Sequence, residues 1–178
     1  MSKSRYLPFV LLSFVFVFCC GFGSDPVREK VKHKYESQIG VREKTGHNDG
    51  KMVETYLRYA RLDKGNPWCA SFVCWTFGQV GVANPRSGYC PDLFRANKVI
   101  YQRNVHKPPV TPRPGDVWGI YFPEKGRVAH VGFVDNWGDK YVVTVEGNTN
   151  EAGSREGDGV YRKRRLIKSI YVVANYIN

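Results

Sequence analysis

The chain has 178 residues, 42% hydrophobic, 14% aromatic and 24% charged, a length that suits one domain better than two. Its 10 Phe, 11 Tyr and 4 Trp are core-builders and exclude collagen, a coiled coil and a disordered tail. With 27 Lys and Arg against 16 Asp and Glu the net charge is +11, which points to an acidic partner: nucleic acid, an anionic membrane or an anionic envelope polymer.

The N-terminus narrows that choice. Lys3 and Arg5 precede an apolar stretch at residues 7–18, and small residues follow at Gly21, Gly23 and Ser24. This is the three-part pattern of an export signal, with cleavage after Gly23; residues 24–178 would then form one mature domain. The apolar run is shorter than the roughly 20 residues a spanning helix needs, so no stable membrane span is expected after cleavage. The alternatives are a retained anchor or a lipid on Cys19 or Cys20, although Phe18 and Cys19 are poor neighbours for an acylated cysteine. Export demotes nucleic acid as the partner, as does the lack of aromatics interleaved with the basic runs.

Three helices are expected next. Residues 27–39 place Val27, Val31, Tyr35 and Ile39 at i, i+4 spacing among charges, an amphipathic helix. Residues 51–62 put Met52, Val53, Tyr56, Leu57 and Ala60 on one face. Gly65-Asn66-Pro67 then opens a third helix over residues 68–80, with Asn66 as N-cap, Pro67 at the first position and Gly81 as the stop. That helix is apolar nearly all round and should be buried. Residues 84–114 read as loop, with a short helix expected around residues 92–101.

After residue 114 the hydrophobic period becomes two. Residues 115–122, 129–135, 141–146, 160–167 and 169–177 read as five strands, and Asn136-Trp137-Gly138-Asp139 as the hairpin turn joining the second and third. Helices followed by an antiparallel sheet make an α+β domain.

Cysteine arithmetic adds a constraint. Removal of the signal leaves Cys69, Cys74 and Cys90, an odd number for an oxidising compartment. Cys74 and Cys90 either form a disulfide that leaves Cys69 free or are buried thiols. Cys69 and Cys74 are too far apart around a helix to share a zinc ion, and neither a metal nor a cofactor is expected.

Cys69 lies in the first turn of the buried helix, where unpaired N–H groups and the helix dipole favour a thiolate. The best candidate base is His130, which shares a strand face with Gly132 and Val134; Gly132 leaves room for substrate or for the base. His33, His47 and His106 lie in a charged helix or in loops. Folding the hairpin about Trp137-Gly138 sets Val145 opposite His130 and brings Glu146 and Asn148 near it, candidates for the group that orients the base. Arg162-Lys163-Arg164-Arg165 is either a solvated edge that discourages strand pairing or an attraction for an anionic wall.

Four runs in order, Asn66-Pro67-Trp68-Cys69-Ala70-Ser71-Phe72-Val73, Arg113-Pro114-Gly115-Asp116-Val117, Ala129-His130-Val131-Gly132-Phe133-Val134 and Val145-Glu146-Gly147-Asn148-Thr149, resemble the CHAP family of cysteine, histidine-dependent amidohydrolases and peptidases. The likeness extends over about residues 40–150. It implies a papain-like core and cleavage of a peptidoglycan amide, either in the stem peptide or between sugar and peptide. It also implies roles: Cys69 as nucleophile, His130 as general base, Glu146 as orienting group, and Asn148 as a fourth polar residue or the orienting group in its place. The Cys69 N–H is the natural oxyanion donor. The competing readings are a non-catalytic wall-binding module of the same fold and a transamidase using the same residues.

Overall fold

The computed structural model describes residues 25–105, 110–152 and 157–177. The expected export signal, Cys19 and Cys20 with it, and His106 lie outside the described residues.

Helix α1 (Pro26–Glu36) begins where the Asp25 carboxylate accepts the Val27 N–H at 2.9 Å, a side-chain cap for an orphan donor. It buries Val31 and Tyr35. The outer members of the expected stripe, Val27 and Ile39, stay 39% and 38% exposed, because the helix stops at Glu36 and Ile39 lies past its end. Arg28 reaches from α1 to Asp116 at 2.9 Å and to the Pro114 carbonyl at 2.5 Å, tying the helix to the start of the sheet. Helix α2 (Lys51–Tyr59) buries Val53, Tyr56 and Leu57. In helix α3 (Cys69–Gln79) every residue from Cys69 to Phe77 is buried. It ends as expected at Gly81, whose φ of 78° lets Gly81 and Val82 donate back to the Gly78 and Phe77 carbonyls, a Schellman closure.

Six strands follow among the described residues: β1 (Val99–Gln102), β2 (Val117–Phe122), β3 (Arg127–Trp137), β4 (Tyr141–Thr149), β5 (Gly159–Leu166) and β6 (Val172–Ala174). They form one antiparallel sheet in the order β1-β6-β2-β3-β4-β5. The architecture is α+β, with one strand more than the hydrophobic period predicts. The extra strand replaces the short helix expected around residues 92–101. There the chain makes a single 3-10 turn, Cys90–Leu93, and the β-branched and aromatic run Val99-Ile100-Tyr101 pairs with β6 instead.

The helices cover one face of the sheet. Phe133 of β3 is the centre of that layer, with ring centroids 4.9 Å from Tyr35, 5.3 Å from Phe77 and 5.9 Å from Phe72, within the range in which aromatic pairs attract. A smaller cluster of Trp118, Val134, Val142, Ile170 and Val173 lies apart from it. No helix of the described residues is long and apolar enough to cross a membrane.

Two irregularities in pairing place the site. Between β2 and β3 the register passes from Ile120 opposite His130 to Tyr121 opposite Val128, so Ala129 is an extra residue on β3 immediately before His130. Such a bulge bends a strand and re-aims its side chains. Between β3 and β4 the pairing is Phe133 to Val145, three residues away from the expected register. The shift arises because β3 runs on to Trp137, bulges at Asp135, and turns at Gly138, whose N–H bonds the Tyr141 carbonyl at 3.0 Å.

Candidate active site

Helix α3 opens at Cys69 itself, with Trp68 as its N-cap residue; the expected start two residues earlier is displaced. The Asn66 amide donates back to the Asp63 carbonyl at 3.0 Å and so does not cap. The capping group comes from the far side of the fold. Asn148 Oδ1 accepts the Trp68 N–H at 3.1 Å, while its amide donates to Asn48 Oδ1 and the Gly157 carbonyl, each at 3.0 Å. Asn148 can face the helix because it sits at a bulge in β4 with φ 56°, a left-handed conformation that asparagine tolerates. Trp68, fully buried, donates its indole N–H to Glu43 at 2.8 Å, and Glu43 also accepts the Asn48 N–H. These contacts hold the Cys69 end of α3 in place.

His130 is 2% exposed and Glu146 is fully buried. The β3–β4 register sets Glu146 across from Gly132, one step along the face from His130. A Cβ on Gly132 would lie 3.1 Å from Glu146 Cγ and 2.7 Å from the Val145 carbonyl, so the missing side chain makes room for the carboxylate. Glu146 Oε2 accepts from His130 Nε2 at 3.0 Å. The same carboxylate accepts from Thr144 Oγ1 at 2.5 Å and from Nε and Nη2 of the Arg165 guanidinium, each at 2.5 Å. Burial would raise the Glu146 carboxyl, but the hydrogen bonds from Arg165 and His130 outweigh it and hold it at about 2. Being ionised, it only accepts, which places the proton on Nε2 and leaves Nδ1 for the thiol. Nδ1 is buried and has no hydrogen-bond partner among the described residues.

The Cys69 sulfur lies 3.6 Å from that of Cys90. This contact is the largest cause that lowers the Cys69 thiol well below its usual range; burial opposes it, and His130 and the Val131 N–H add to it. Cys90 is pushed well above the ordinary value by its contact with Cys69 and by burial, so it is the thiol that keeps its proton and donates. Burial disfavours a charged imidazole, yet the Cys69 thiolate and the Glu146 carboxylate lift His130 to about 9. The favoured state is a thiolate–imidazolium pair backed by a carboxylate.

The described residues thus join His130 to Glu146 by a hydrogen bond, couple Cys69 to His130 electrostatically, and place Asn148 on the α3 cap, where it lines the same cleft as Cys69. Of the two alternatives for Cys74 and Cys90, the structure shows buried thiols: Cys74 donates to the Ser87 carbonyl at 3.4 Å, and the three described cysteines are free. Nor is the basic run simply a solvated edge, because Arg165 grips Glu146 and Arg162 bonds Glu36 at 2.6 Å. Among the described residues no group of three or more His, Cys, Asp or Glu is placed to hold a metal. Cys69 opens on a cleft of about 420 Å³ walled by Ala60, Leu62, the loop from Arg86 to Cys90, and the residues Lys125, Arg127 and Ala129.

Residues 61–148 match the family model of the CHAP domain. These residues form a CHAP domain. No curated protein and no solved structure matches it. Cys69, His130, Glu146 and Asn148 all fall inside the CHAP match; Glu43 and Arg165, which support them, fall outside it.

The division of labour between the two polar candidates is testable. Asn148→Ala should destabilise the protein by about 1–2 kcal/mol, because it orphans a buried N–H at the helix start, and should leave the His130 titration unmoved. Urea unfolding and the imidazole NMR shift read the two effects separately.

Proposed function

We propose that the chain is an exported peptidoglycan hydrolase that cleaves an amide bond, as a stem-peptide endopeptidase or an N-acetylmuramoyl-L-alanine amidase, through an acyl-enzyme on Cys69. The observation that carries this reading is a cleft opening on the Cys69 sulfur, with His130 coupled to that thiol and hydrogen-bonded at 3.0 Å to Glu146. The CHAP domain supports the hydrolase class, and the N-terminal pattern supports export to the envelope.

In this reading the Cys69 thiolate attacks the amide carbonyl, and the tetrahedral oxyanion is met by the Cys69 N–H at the unpaired start of α3. The His130 imidazolium gives its proton to the departing amine. Neutral His130 then takes a proton from water, which attacks the thioester and frees Cys69. Glu146 fixes the tautomer and the charge of the imidazole throughout.

The test is incubation of the mature protein and its Cys69→Ala variant with purified peptidoglycan, followed by mass spectrometry of the soluble products. Fragments from the wild type alone support the reading and name the bond; amine-capped instead of water-capped products would identify a transamidase. No fragments from a folded, reduced wild type would overturn it in favour of a wall-binding module.

The activity should also carry a defined pH profile. It should fall on the acid side only where the lowered Cys69 thiol takes up its proton, and fall on the basic side as pH rises through about 9, where His130 loses the proton it donates. The two limbs belong to the coupled pair; initial rates across pH 5 to 10 at a fixed ionic strength check the prediction.

A further inference from the structure

The walls of the Cys69 cleft are one-sided in charge. Arg86, Lys125 and Arg127 line it, and no Asp or Glu does. Elsewhere in the fold basic side chains find carboxylates: Arg28 with Asp116, Lys32 and Arg162 with Asp135, Arg165 with Glu146. The three cleft cations have no such ion pair among the described residues. The acids nearest them in sequence, Asp92 and Glu124, lie outside the lining, and Asp92 is bonded by the Ser87 hydroxyl at 2.6 Å.

The two arginines are held by their faces. The Arg127 guanidinium lies 5.0 Å from the Tyr89 ring centroid and that of Arg86 lies 4.7 Å from Tyr59. Stacking of this kind orders a guanidinium while its N–H edge stays available for a fork-shaped hydrogen bond. Arg127 spends one nitrogen on the Val128 carbonyl at 3.1 Å, and the others remain. Its charge is felt at the Cys90 sulfur, which it lowers against the stronger raising causes, and that sulfur touches Cys69. The positive field therefore borders the reacting atom.

We infer that the cleft binds a free carboxylate of the substrate beside the scissile amide, with Arg127 as its principal partner and Arg86 and Lys125 supporting it. This rests on the peptidoglycan amidohydrolase reading and narrows it to stem peptides whose residue next to the cut is acidic or ends in a free carboxyl. A guanidinium–carboxylate fork supplies orientation as well as charge, so amidated stem peptides are poor substrates.

The experiment uses soluble muropeptides from purified peptidoglycan, half of them converted to carboxamides with carbodiimide and ammonia. For the wild type, amidation should raise KM about tenfold, as expected for the loss of one charge-assisted contact, and change kcat little. Arg127→Gln should show the same rise on the free acids and no further effect of amidation, while Arg127→Lys should fall between. Equal cleavage of both substrates by the wild type overturns the inference and leaves the hydrolase reading standing. An Arg127→Gln defect of the same size on both substrates also overturns it, since a misplaced cleft wall would harm both alike. Cleavage of neither overturns the hydrolase reading and the inference with it.

Discussion

Glu146→Gln is expected to lower kcat by about 10²- to 10⁴-fold, the range spanned by loss of general acid–base function and by neutralising a triad carboxylate. The substitution keeps shape and removes charge. In the wild type the carboxylate lies between two cations, His130 at 3.0 Å and Arg165 at 2.5 Å. It is one of the causes that hold the imidazole at about 9 against a burial penalty that pulls the other way. An amide cannot do this. It also leaves the Arg165 guanidinium beside the imidazole with no negative charge between them, so protonation of His130 is then opposed by burial and by a like charge together.

Two consequences separate this from a merely loosened site. The basic limb of the pH–rate profile should move to lower pH, because His130 loses support for its charged form. Alkylation of Cys69 by iodoacetamide at pH 7 should slow as the thiolate loses its counter-ion. The variant should still fold, which near-ultraviolet circular dichroism can establish, although Arg165 and Thr144 each lose an acceptor. A variant that retains activity within tenfold, with an unmoved basic limb, would show that Glu146 does not orient the base.

Much of this arrangement was legible in the sequence, and the parts that were not have identifiable causes. Three helices and the strands β2 to β5 announce themselves because their hydrophobic periods are long enough to distinguish 3.6 from 2. Strand β1 has four residues, too few for either period to show, and its pairing with β6 depends on chain more than 70 residues away in the fold's topology. The His130–Glu146 contact was reached from an expected register that was wrong by three residues. Bulges at Ala129 and Asp135 carry no mark in the sequence, and a side chain as long as glutamate reaches a diagonal neighbour as readily as a direct one.

Arg165 was hidden for a different reason. A basic residue on an edge strand reads identically whether it faces water or a buried carboxylate on the adjacent strand. Only the β4–β5 pairing, Val142 to Arg165 and Glu146 to Tyr161, brings it near enough to reach. Asn148 was visible as a polar residue near the site, but its role as the cap of α3 follows from a left-handed backbone that spacing does not reveal. For Cys90 the cysteine count offers pairing with Cys74 or a buried thiol, since parity alone does not say which two of three thiols meet.

That meeting leads to the second large effect. Treatment of the reduced protein with hydrogen peroxide is expected to abolish activity, and dithiothreitol to restore it. The Cys69 thiolate attacks one peroxide oxygen, giving a sulfenic acid and hydroxide; the Cys90 sulfur then displaces the sulfenic oxygen, which leaves as water with the Cys90 proton, and an S–S bond forms. The sulfurs start 3.6 Å apart and must close to about 2.05 Å. Cys69 is the thiol that reacts first because it is the one lowered; Cys90, raised by the same contact, supplies the resolving sulfur. Cys74 does not compete, since burial pushes it to about 11 and it is bonded to the Ser87 carbonyl. Mass spectrometry of the oxidised, unreduced protein should find a peptide pair linking Cys69 to Cys90. In Cys90→Ala the same treatment should carry Cys69 on to sulfinic acid, which dithiothreitol does not reverse. Reversible inactivation of Cys90→Ala to the same extent as the wild type would sink the idea, because the sulfur that protects Cys69 would then have to come from elsewhere.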